Sequence, residues 1–508
     1  MAGGLGVLGV LLLGPYVASG SFAWDDWENA ATTAHPPADG FLGPVDLGLM
    51  RYRPLLALLL PLPHLLFGAR PELHLALAAL LAVLASLTFH VVLRALGLPA
   101  LVAGGAAVLA LLFPFSDSTR LWATASINLV ALMLAGLGLL LALRGLATPD
   151  PGWRRRLHAA SVTAYAASLL TYEAAAALIL LTGLLHARRV GRQAAWRWWR
   201  LDAAVLVPIL GAEAALTSHP ERSLPSTVAH GPVLAVHGLE LVGRALIPGL
   251  TGALALALGA TVVLAAALAA RRATGDARTW LTWAGGGAIV AVAAWAMLLP
   301  AAGPYDPLSA GVFNRGNILA AFGFALAAAA GVRALWATRA RWAAPALAAL
   351  VAGGWAGGLE RDVGEWKRAA RESTRELAVV RRTLARAEPR TLLVVSRQRF
   401  AGAGVPVFAA AWDLNSAVKL RAPGRAATVL ARARELRCGR GGVAPRPALN
   451  NVVEPVPYGQ AALLDADSGA LVTLTDPAAC RSARESGAPG RAGGDPAART
   501  GRRGERPG

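Results

Sequence analysis

The chain has 508 residues, of which 55% are hydrophobic and 16% are charged, and its formal net charge is +19. So little charge cannot cover the surface of a soluble protein of this size, which argues against a soluble enzyme and predicts a membrane protein with many spans. The positive charge does not indicate a nucleic-acid partner. Many of the arginines lie in short loops between apolar runs, and no basic stripe is interleaved with aromatic residues.

Apolar segments long enough to cross a bilayer of roughly 30 Å recur along the chain. They lie at residues 5–20, 72–95, 99–115, 120–144, 202–217, 250–270, 280–301, 313–335 and 342–358. The further apolar stretch 158–186 has an arginine cluster on each side, so it crosses an even number of times. We predict that it is a hairpin of two short helices with its apex near Glu173.

Counting these crossings predicts about eleven transmembrane helices, with the N-terminus in the cytoplasm and all residues after 358 outside. The predicted fold class is therefore an all-α polytopic membrane domain followed by a small α+β extracytoplasmic domain. Abundant Ala, Gly and Pro, with almost no lysine, are typical of a GC-rich bacterial genome, so the predicted location is the bacterial cytoplasmic membrane. The first segment could instead be a cleaved signal peptide, although its leading "MAGG" has no basic residue.

An acidic motif follows the first apolar segment directly. The stretch "SFAWDDWENA" places Asp25, Asp26 and Glu28 beside Trp24 and Trp27, at the head of a long outer loop, 21–71. Two interpretations remain open from the residues alone. The carboxylates are either solvated loop residues or part of a catalytic site at the bilayer surface.

The C-terminal region has the pattern of a soluble domain. Residues 359–388 have helical apolar spacing, "TLLVVSR" is typical of a strand, and "ALLDADSGALVTLT" predicts a hairpin that turns at residues 467–469. The predicted domains are a membrane domain at 1–358, an outer domain at 359–480 and a disordered tail at 481–508. Cys438 and Cys480 form a disulfide or remain free thiols. A location outside the cytoplasm permits a disulfide, so the sequence does not decide between the two alternatives.

The remaining candidate residues are charged groups on the predicted outer side. The acids are Asp117, Glu173 and Asp306, and the arginines are Arg51, Arg53, Arg120, Arg222 and Arg315. A carboxylate can act as general base toward a hydroxyl, or hold a divalent cation, and arginine binds phosphate in a bidentate manner. This combination at a membrane surface suits transfer of a sugar from a lipid phosphate.

The sequence resembles the GT-C superfamily of integral-membrane glycosyltransferases, which includes protein O-mannosyltransferases and aminoarabinose transferases. The resemblance covers about residues 1–190. It rests on "WDDWE", on "YRPLLALLLPLPHLLFGARPELHLALAALLAVLASL", on "FPFSDSTRLW" and on "LLTYEAAA", where Tyr172 replaces a frequent lysine. Beyond that region only the span pattern and the outer domain agree.

The resemblance implies an inverting transferase with a polyprenyl-phosphate sugar donor. It implies that Asp25 or Asp26 is the base, that Asp117 is a second acidic contributor, and that Arg53 or Arg315 holds the donor phosphate. Glu28, Arg51, Arg120 and Glu173 are the further predicted substrate-binding residues. A divalent metal ion at Asp25 and Asp26 is the one cofactor that the pattern allows.

Three other functions compete with the transferase. A polysaccharide polymerase or ligase usually has functional arginines in large later loops, whereas here the acidic motif comes early. A transporter predicts internal repeats and broken helices at mid-membrane, which the sequence lacks. A non-catalytic protein that keeps a transferase-like scaffold remains the third alternative. The sequence names neither the sugar nor the glycan, lipid or protein acceptor.

Overall fold

The computed structural model describes residues 1–36, 45–216, 224–297, 299, 307–386, 391–395, 400–402, 404–421, 428–431, 435–445 and 454–486. The helices are α1 Ala2–Val17, α2 Asp25–Ala34, α3 Leu47–Met50, α4 Pro54–Leu59, α5 Pro61–Phe67, α6 Pro71–Ala95, α7 Ala100–Leu112, α8 Ser118–Leu121, α9 Ala123–Ser126, α10 Asn128–Ala147, α11 Pro151–Thr171, α12 Ala176–Val190, α13 Arg192–Leu216, α14 Leu224–Leu246, α15 Gly252–Arg272, α16 Gly275–Ala296, α17 Ala320–Trp336, α18 Ala343–Arg386, α19 Ala411–Arg421 and α20 Pro477–Ser486. The strands are β1 Thr391–Val395, β2 Phe400–Ala401, β3 Val405–Pro406, β4 Thr428–Ala431, β5 Leu436–Cys438, β6 Val443–Pro445, β7 Ala461–Asp465 and β8 Leu471–Leu474.

The chain divides into two compact units. The helical unit comprises Met1–Phe22, Pro36–Ala370 and Ala401–Pro406, and the α/β unit comprises Ala23–His35, Arg371–Phe400 and Val407–Gly508. The predicted boundary at residues 358 and 359 falls inside α18, which continues past it because its proline, Pro345, lies in the first turn, where proline is tolerated. Helix α2, placed by prediction in the first loop of the membrane domain, belongs to the α/β unit because it packs on α19.

Helices of the helical unit have the apolar character of membrane spans. Within the described residues, four are long and apolar enough to cross a bilayer, namely Pro71–Ala95, Ala123–Ala147, Gly252–Arg272 and Gly275–Ala296. Shorter apolar helices occur at Ala2–Val17, Pro54–Phe67, Ala100–Leu112 and Ala320–Trp336. The helical membrane domain is thus as predicted, while the count of about eleven spans stays a prediction.

Glycines allow close approach between neighbouring helices of this unit. A Cβ added to Gly287 of α16 would lie 2.5 Å from the carbonyl oxygen of Gly323 in α17, and one added to Gly323 would lie 2.6 Å from that of Gly287. Gly243 of α14 and Gly259 of α15 likewise face backbone of the opposite helix with no room for a side chain. Small residues at helix crossings are typical of membrane proteins, where close van der Waals packing drives helix association.

The predicted break near Glu173 is confirmed. Helix α11 ends at Thr171, a short 3₁₀ segment covers Glu173–Ala175, and α12 begins at Ala176. Tyr172, at the junction, has an extended backbone with φ −164° and ψ 130°. The segment therefore has two helices, as the arginine clusters on either side of it require.

The α/β unit contains a mixed four-stranded sheet with the strand order β4-β1-β7-β8. Strand β1 is parallel to both β4 and β7, and the β1–α19–β4 sequence forms a βαβ connection. Strands β7 and β8 pair antiparallel as the predicted hairpin, and Gly469 in its turn has φ +74°, which favours glycine. Helix α20 extends to Ser486, and the rest of the predicted tail lies outside the described residues.

A disulfide joins Cys438 of β5 to Cys480 of α20. Cys480 is fully buried in a core cluster with Leu436, Val443 and Leu474, so the bond ties α20 to the strands beneath it. This resolves the alternative that the sequence left open, and a disulfide is compatible with an extracytoplasmic position.

Replacing Cys438 and Cys480 with serine is expected to destabilise the α/β unit by about 4 kcal/mol, because the bond closes a loop with a sequence separation of 42 residues. Limited proteolysis of the full-length protein measures the effect as faster cleavage after Arg residues of this unit. Reducing agent should reproduce the result in the parent protein and change nothing in the double serine variant. Equal protease resistance of the two proteins without reductant would contradict the prediction.

Candidate active site

The acidic motif begins at a strained backbone position. Among the described residues other than glycine, Trp24 alone has a positive φ, at 51° with ψ −120°. This region is sterically unfavourable for a residue with a Cβ and costs on the order of 1–3 kcal/mol. Such strain persists only where surrounding contacts fix it, and it is common at functional sites. Trp24 precedes α2 directly, so the strain lies next to Asp25 and Asp26.

The two neighbouring aspartates have different environments. Asp26 is buried, and its Oδ2 accepts a hydrogen bond of 3.0 Å from the backbone N–H of Ala23, which fixes the start of α2. Asp25 is half-buried, and its Oδ1 accepts a hydrogen bond of 3.2 Å from the indole N–H of Trp412. Asp26 therefore serves the fold of the motif, whereas the Asp25 carboxylate is accessible and oriented. The sequence did not separate these two residues.

The two tryptophans that flank the aspartates pack against aromatic rings of the C-terminal part of the α/β unit. The ring of Trp24 lies edge-on to that of Trp412, with centroids 5.9 Å apart, and 6.1 Å from that of Phe400. Trp27 on the buried side of α2 contacts Phe408 at 6.1 Å between centroids. These contacts join α2 to the segment that leads into α19 and give a physical reason for the strained backbone at Trp24.

Asp413 anchors the residue that holds Asp25. Its carboxylate is buried and accepts hydrogen bonds from the backbone N–H groups of Ala409, Ala410 and Leu414 at 2.9, 3.2 and 2.6 Å. In the hydrogen bond from Ala410, the side chain at the third helical position accepts from the backbone N–H of the residue that precedes α19, as in a capping box. This bond fixes the first turn of α19. Because Trp412 precedes Asp413 in this turn, the position of its indole N–H toward Asp25 is fixed as well.

Asp117 is the centre of a buried polar cluster in the helical unit. Its carboxylate accepts hydrogen bonds from the Asn314 side-chain amide, from the backbone N–H of Gly311 at 3.0 Å and from the Trp366 indole N–H at 2.6 Å. Asn314 also accepts a bond of 2.9 Å from the hydroxyl of Ser118. Asp117 is fully buried and therefore joins the loop after α7 to the 3₁₀ segment Val312–Asn317 and to α18.

Arg120 provides the positive charge beside this carboxylate. It is buried and donates to the carbonyl oxygens of Leu111 and Phe113 and to the hydroxyl of Ser116. The Arg120 guanidinium interacts electrostatically with Asp117, and an arginine side chain is always charged in proteins. Burial raises the pKa of Asp117, and burial together with the Asp117 charge raises the pKa of Asp362 to about 9. A charge held by backbone carbonyls in this way is positioned to neutralise Asp117.

Arg53 and Glu173, both predicted to bind substrate, form an ion pair. The Arg53 guanidinium donates to Glu173 over 2.5 Å and lies 3.4 Å from Glu213. Its carbon Cζ also lies 4.7 Å from the ring centroid of Tyr172. Glu173, an acid within an apolar segment, thus has a charged partner, and the arginine lies next to two acidic side chains of the helical unit.

The other predicted residues occupy more open positions. Glu28 lies on the exposed face of α2, and Arg51 is exposed at the end of α3. Arg315 is half-buried in the 3₁₀ segment, with its guanidinium 5.8 Å from the Trp122 ring centroid. Arg222 and Asp306 lie outside the described residues. Among the described side chains, no group of three or more His, Cys, Asp and Glu is arranged to hold a metal ion, and a metal at Asp25 and Asp26 stays a prediction.

Several important residues were not found from the sequence. Trp412, Asn314, Trp366 and Glu213 contact predicted residues from positions far along the chain. Asp413 fixes the turn that contains Trp412. One local signal was available for two of them. The "AWD" of residues 411–413 repeats the "AWD" of residues 23–25, and in both places the tryptophan and aspartate lie in or next to the first turn of a helix.

No family model matches the sequence, and no curated protein is significantly similar to it. Two solved structures are similar in fold. The crystal structure of ArnT from Cupriavidus metallidurans bound to undecaprenyl phosphate is 16% identical, with 84% of this chain and 88% of that chain covered and a TM-score of 0.38. The crystal structure of the same protein in the apo state is 17% identical, again with 84% of this chain and 88% of that chain covered, and has a TM-score of 0.36. At these identities and TM-scores the likeness carries no argument about function, which rests on the residues of this chain.

Proposed function

We propose that the protein is a glycosyltransferase of the bacterial cytoplasmic membrane. It transfers a sugar from a polyprenyl-phosphate donor to an acceptor on the outer face, with the N-terminus in the cytoplasm and the α/β unit outside. The observation that supports this most is the contrast between the adjacent aspartates of α2. One is buried and fixes the backbone, and the other is accessible and oriented by an indole N–H. A solvated loop would not be expected to hold a strained backbone at Trp24 or to direct the Trp412 indole N–H to the Asp25 carboxylate.

In the proposed reaction Asp25 is the general base. The acceptor hydroxyl attacks the anomeric carbon of the donor sugar while the Asp25 carboxylate takes the hydroxyl proton. The bond between the anomeric carbon and the phosphate oxygen breaks, and its electron pair leaves with the polyprenyl phosphate. Attack opposite the leaving group inverts the anomeric configuration. The hydrogen bond from Trp412 orients the carboxylate, so Trp412 is a positioning residue.

An arginine is the proposed partner of the leaving phosphate. Guanidinium groups match phosphate oxygens with two parallel hydrogen bonds and stabilise the charge that develops during departure. The resemblance implies two candidates, Arg53 and Arg315. Arg53 forms an ion pair with Glu173 and lies near Glu213, and Arg315 lies against the ring of Trp122. Asp117 and Arg120, both buried and hydrogen-bonded, are proposed to hold the loop between α7 and α10 in shape.

Profiling the lipids and glycans of a deletion strain tests the function. Loss of the gene is expected to remove one sugar from an envelope glycan, lipid or protein and to accumulate its polyprenyl-phosphate donor. Restoring the parent gene should reverse both changes. A polymerase or ligase would instead leave unpolymerised or unattached glycan on a lipid carrier. Unchanged profiles of both donor lipids and envelope sugars would contradict any of these enzyme functions.

A further inference from the structure

A cavity in the α/β unit lies beside the C-terminal part of α18. Its volume is about 410 Å³, which is within the range of sites for small ligands. Arg375, Arg382 and Arg386 line one wall. Their spacings of seven and four residues place all three on one face of the helix, at about 100° per residue. We call this space the arginine cavity.

The opposite wall is the turn between β7 and β8. Asp465 holds this turn, because it accepts hydrogen bonds from the Asp467 backbone N–H at 3.1 Å and from the Ser468 hydroxyl at 2.6 Å. The turn approaches α18 closely, since a Cβ added to Gly469 would lie 3.8 Å from a methyl carbon of Val379. The turn is therefore fixed by local contacts, and α18, with its exposed arginines, forms the other wall.

The charges in the arginine cavity are not balanced. Three guanidinium groups and one carboxylate, that of Asp467, line it. Within the described part of the chain none of the three arginines forms an ion pair, whereas Arg244 and Arg368 pair with glutamates on their own helices. Arg382 and Arg386 are four residues apart, and like charges at this spacing destabilise a helix. An anionic ligand between them would remove the repulsion.

We infer that the arginine cavity binds a phosphate-bearing ligand. Guanidinium groups bind phosphate oxygens through paired, charge-assisted hydrogen bonds, and several arginines converging on one space suit a ligand with more than one negative charge. The Ser468 hydroxyl adds a polar group to the wall. The ligand is either a soluble phosphate compound or the headgroup of an anionic lipid, since both present the same oxygens. The inference does not depend on the proposed sugar transfer.

Binding by the full-length protein in phosphatidylcholine nanodiscs tests this inference. One arm titrates inorganic pyrophosphate by calorimetry, and the other measures association with phosphatidylcholine vesicles that contain or lack phosphatidylglycerol. The informative variant is Arg382→Gln with Arg386→Gln. Its matched control is Arg371→Gln with Arg381→Gln, which removes the same charge from exposed positions of α18 that do not line the cavity.

The parent protein is expected to bind at least one probe. The Arg382/Arg386 variant should lower that affinity at least about tenfold, and the control variant should change it by less than about twofold. Binding in the pyrophosphate arm alone identifies a soluble ligand, and binding in the vesicle arm alone identifies a lipid headgroup. No binding in either arm, or an equal loss in the two variants, would overturn the inference.

Discussion

Replacement of Asp25 by asparagine is expected to abolish sugar transfer while the protein still folds. Asparagine can accept the Trp412 hydrogen bond through its amide oxygen, so the contacts of α2 with α19 are kept. It cannot take a proton from the acceptor hydroxyl, and loss of a general base typically lowers the rate by about 10²–10⁴-fold. The measurement is transfer activity in membranes of a deletion strain that expresses the variant at parental level.

Two variants of the same helix serve as controls for Asp25→Asn. Glu28→Gln removes the same charge from an exposed position. It is expected to lower activity less than Asp25→Asn does, because Glu28 is predicted to bind substrate and not to take the proton. Asp26→Asn is expected to lose activity together with protease resistance, because Asp26 fixes the backbone at Ala23. Parental activity of Asp25→Asn would refute the proposed base. Loss of activity in Asp26→Asn with an intact fold would assign the base to Asp26 instead.

The parts of the fold that sequence predicted well depend on local signals. The hairpin at residues 467–469 has a turn that needs a positive φ at Gly469, and the glycine stands there in the sequence. The break between α11 and α12 was found because arginines on both sides of an apolar stretch fix the number of crossings. Apolar length alone identified the long spans. None of these predictions required knowledge of which distant residues meet.

The candidate site could be predicted only in part because its contacts are distant in sequence. Asp25 and Trp412 are 387 residues apart, and Asp117 and Trp366 are 249 apart. Nothing near Asp25 indicates that α2 packs on α19, so the first loop and the C-terminal domain were predicted as separate parts. The difference between Asp25 and Asp26 likewise depends on burial, which two adjacent aspartates do not reveal in sequence.

Replacement of Asp117 by alanine is expected to lower the free energy of unfolding of the helical unit by about 3–5 kcal/mol. The change leaves the Trp366 indole, the Asn314 amide and the Gly311 N–H without their acceptor and leaves Arg120 buried without its counter-charge. Thermal unfolding in detergent measures the loss. Asp46→Ala is the matched control, since Asp46 caps α3 at an exposed position and its loss should cost about 1 kcal/mol.

Asp117→Asn separates this structural role from the catalytic one that the family resemblance implies. Asparagine keeps the volume and one acceptor oxygen, so we expect it to destabilise the protein less than alanine does and to retain transfer in proportion to the folded fraction. Equal stability of Asp117→Ala and Asp46→Ala would contradict the structural role. A folded Asp117→Asn protein with no transfer activity would instead point to a role of the Asp117 carboxylate in the reaction. The amide oxygen of the variant still accepts from Gly311 and Trp366, while the charge and the acceptor for Asn314 are lost.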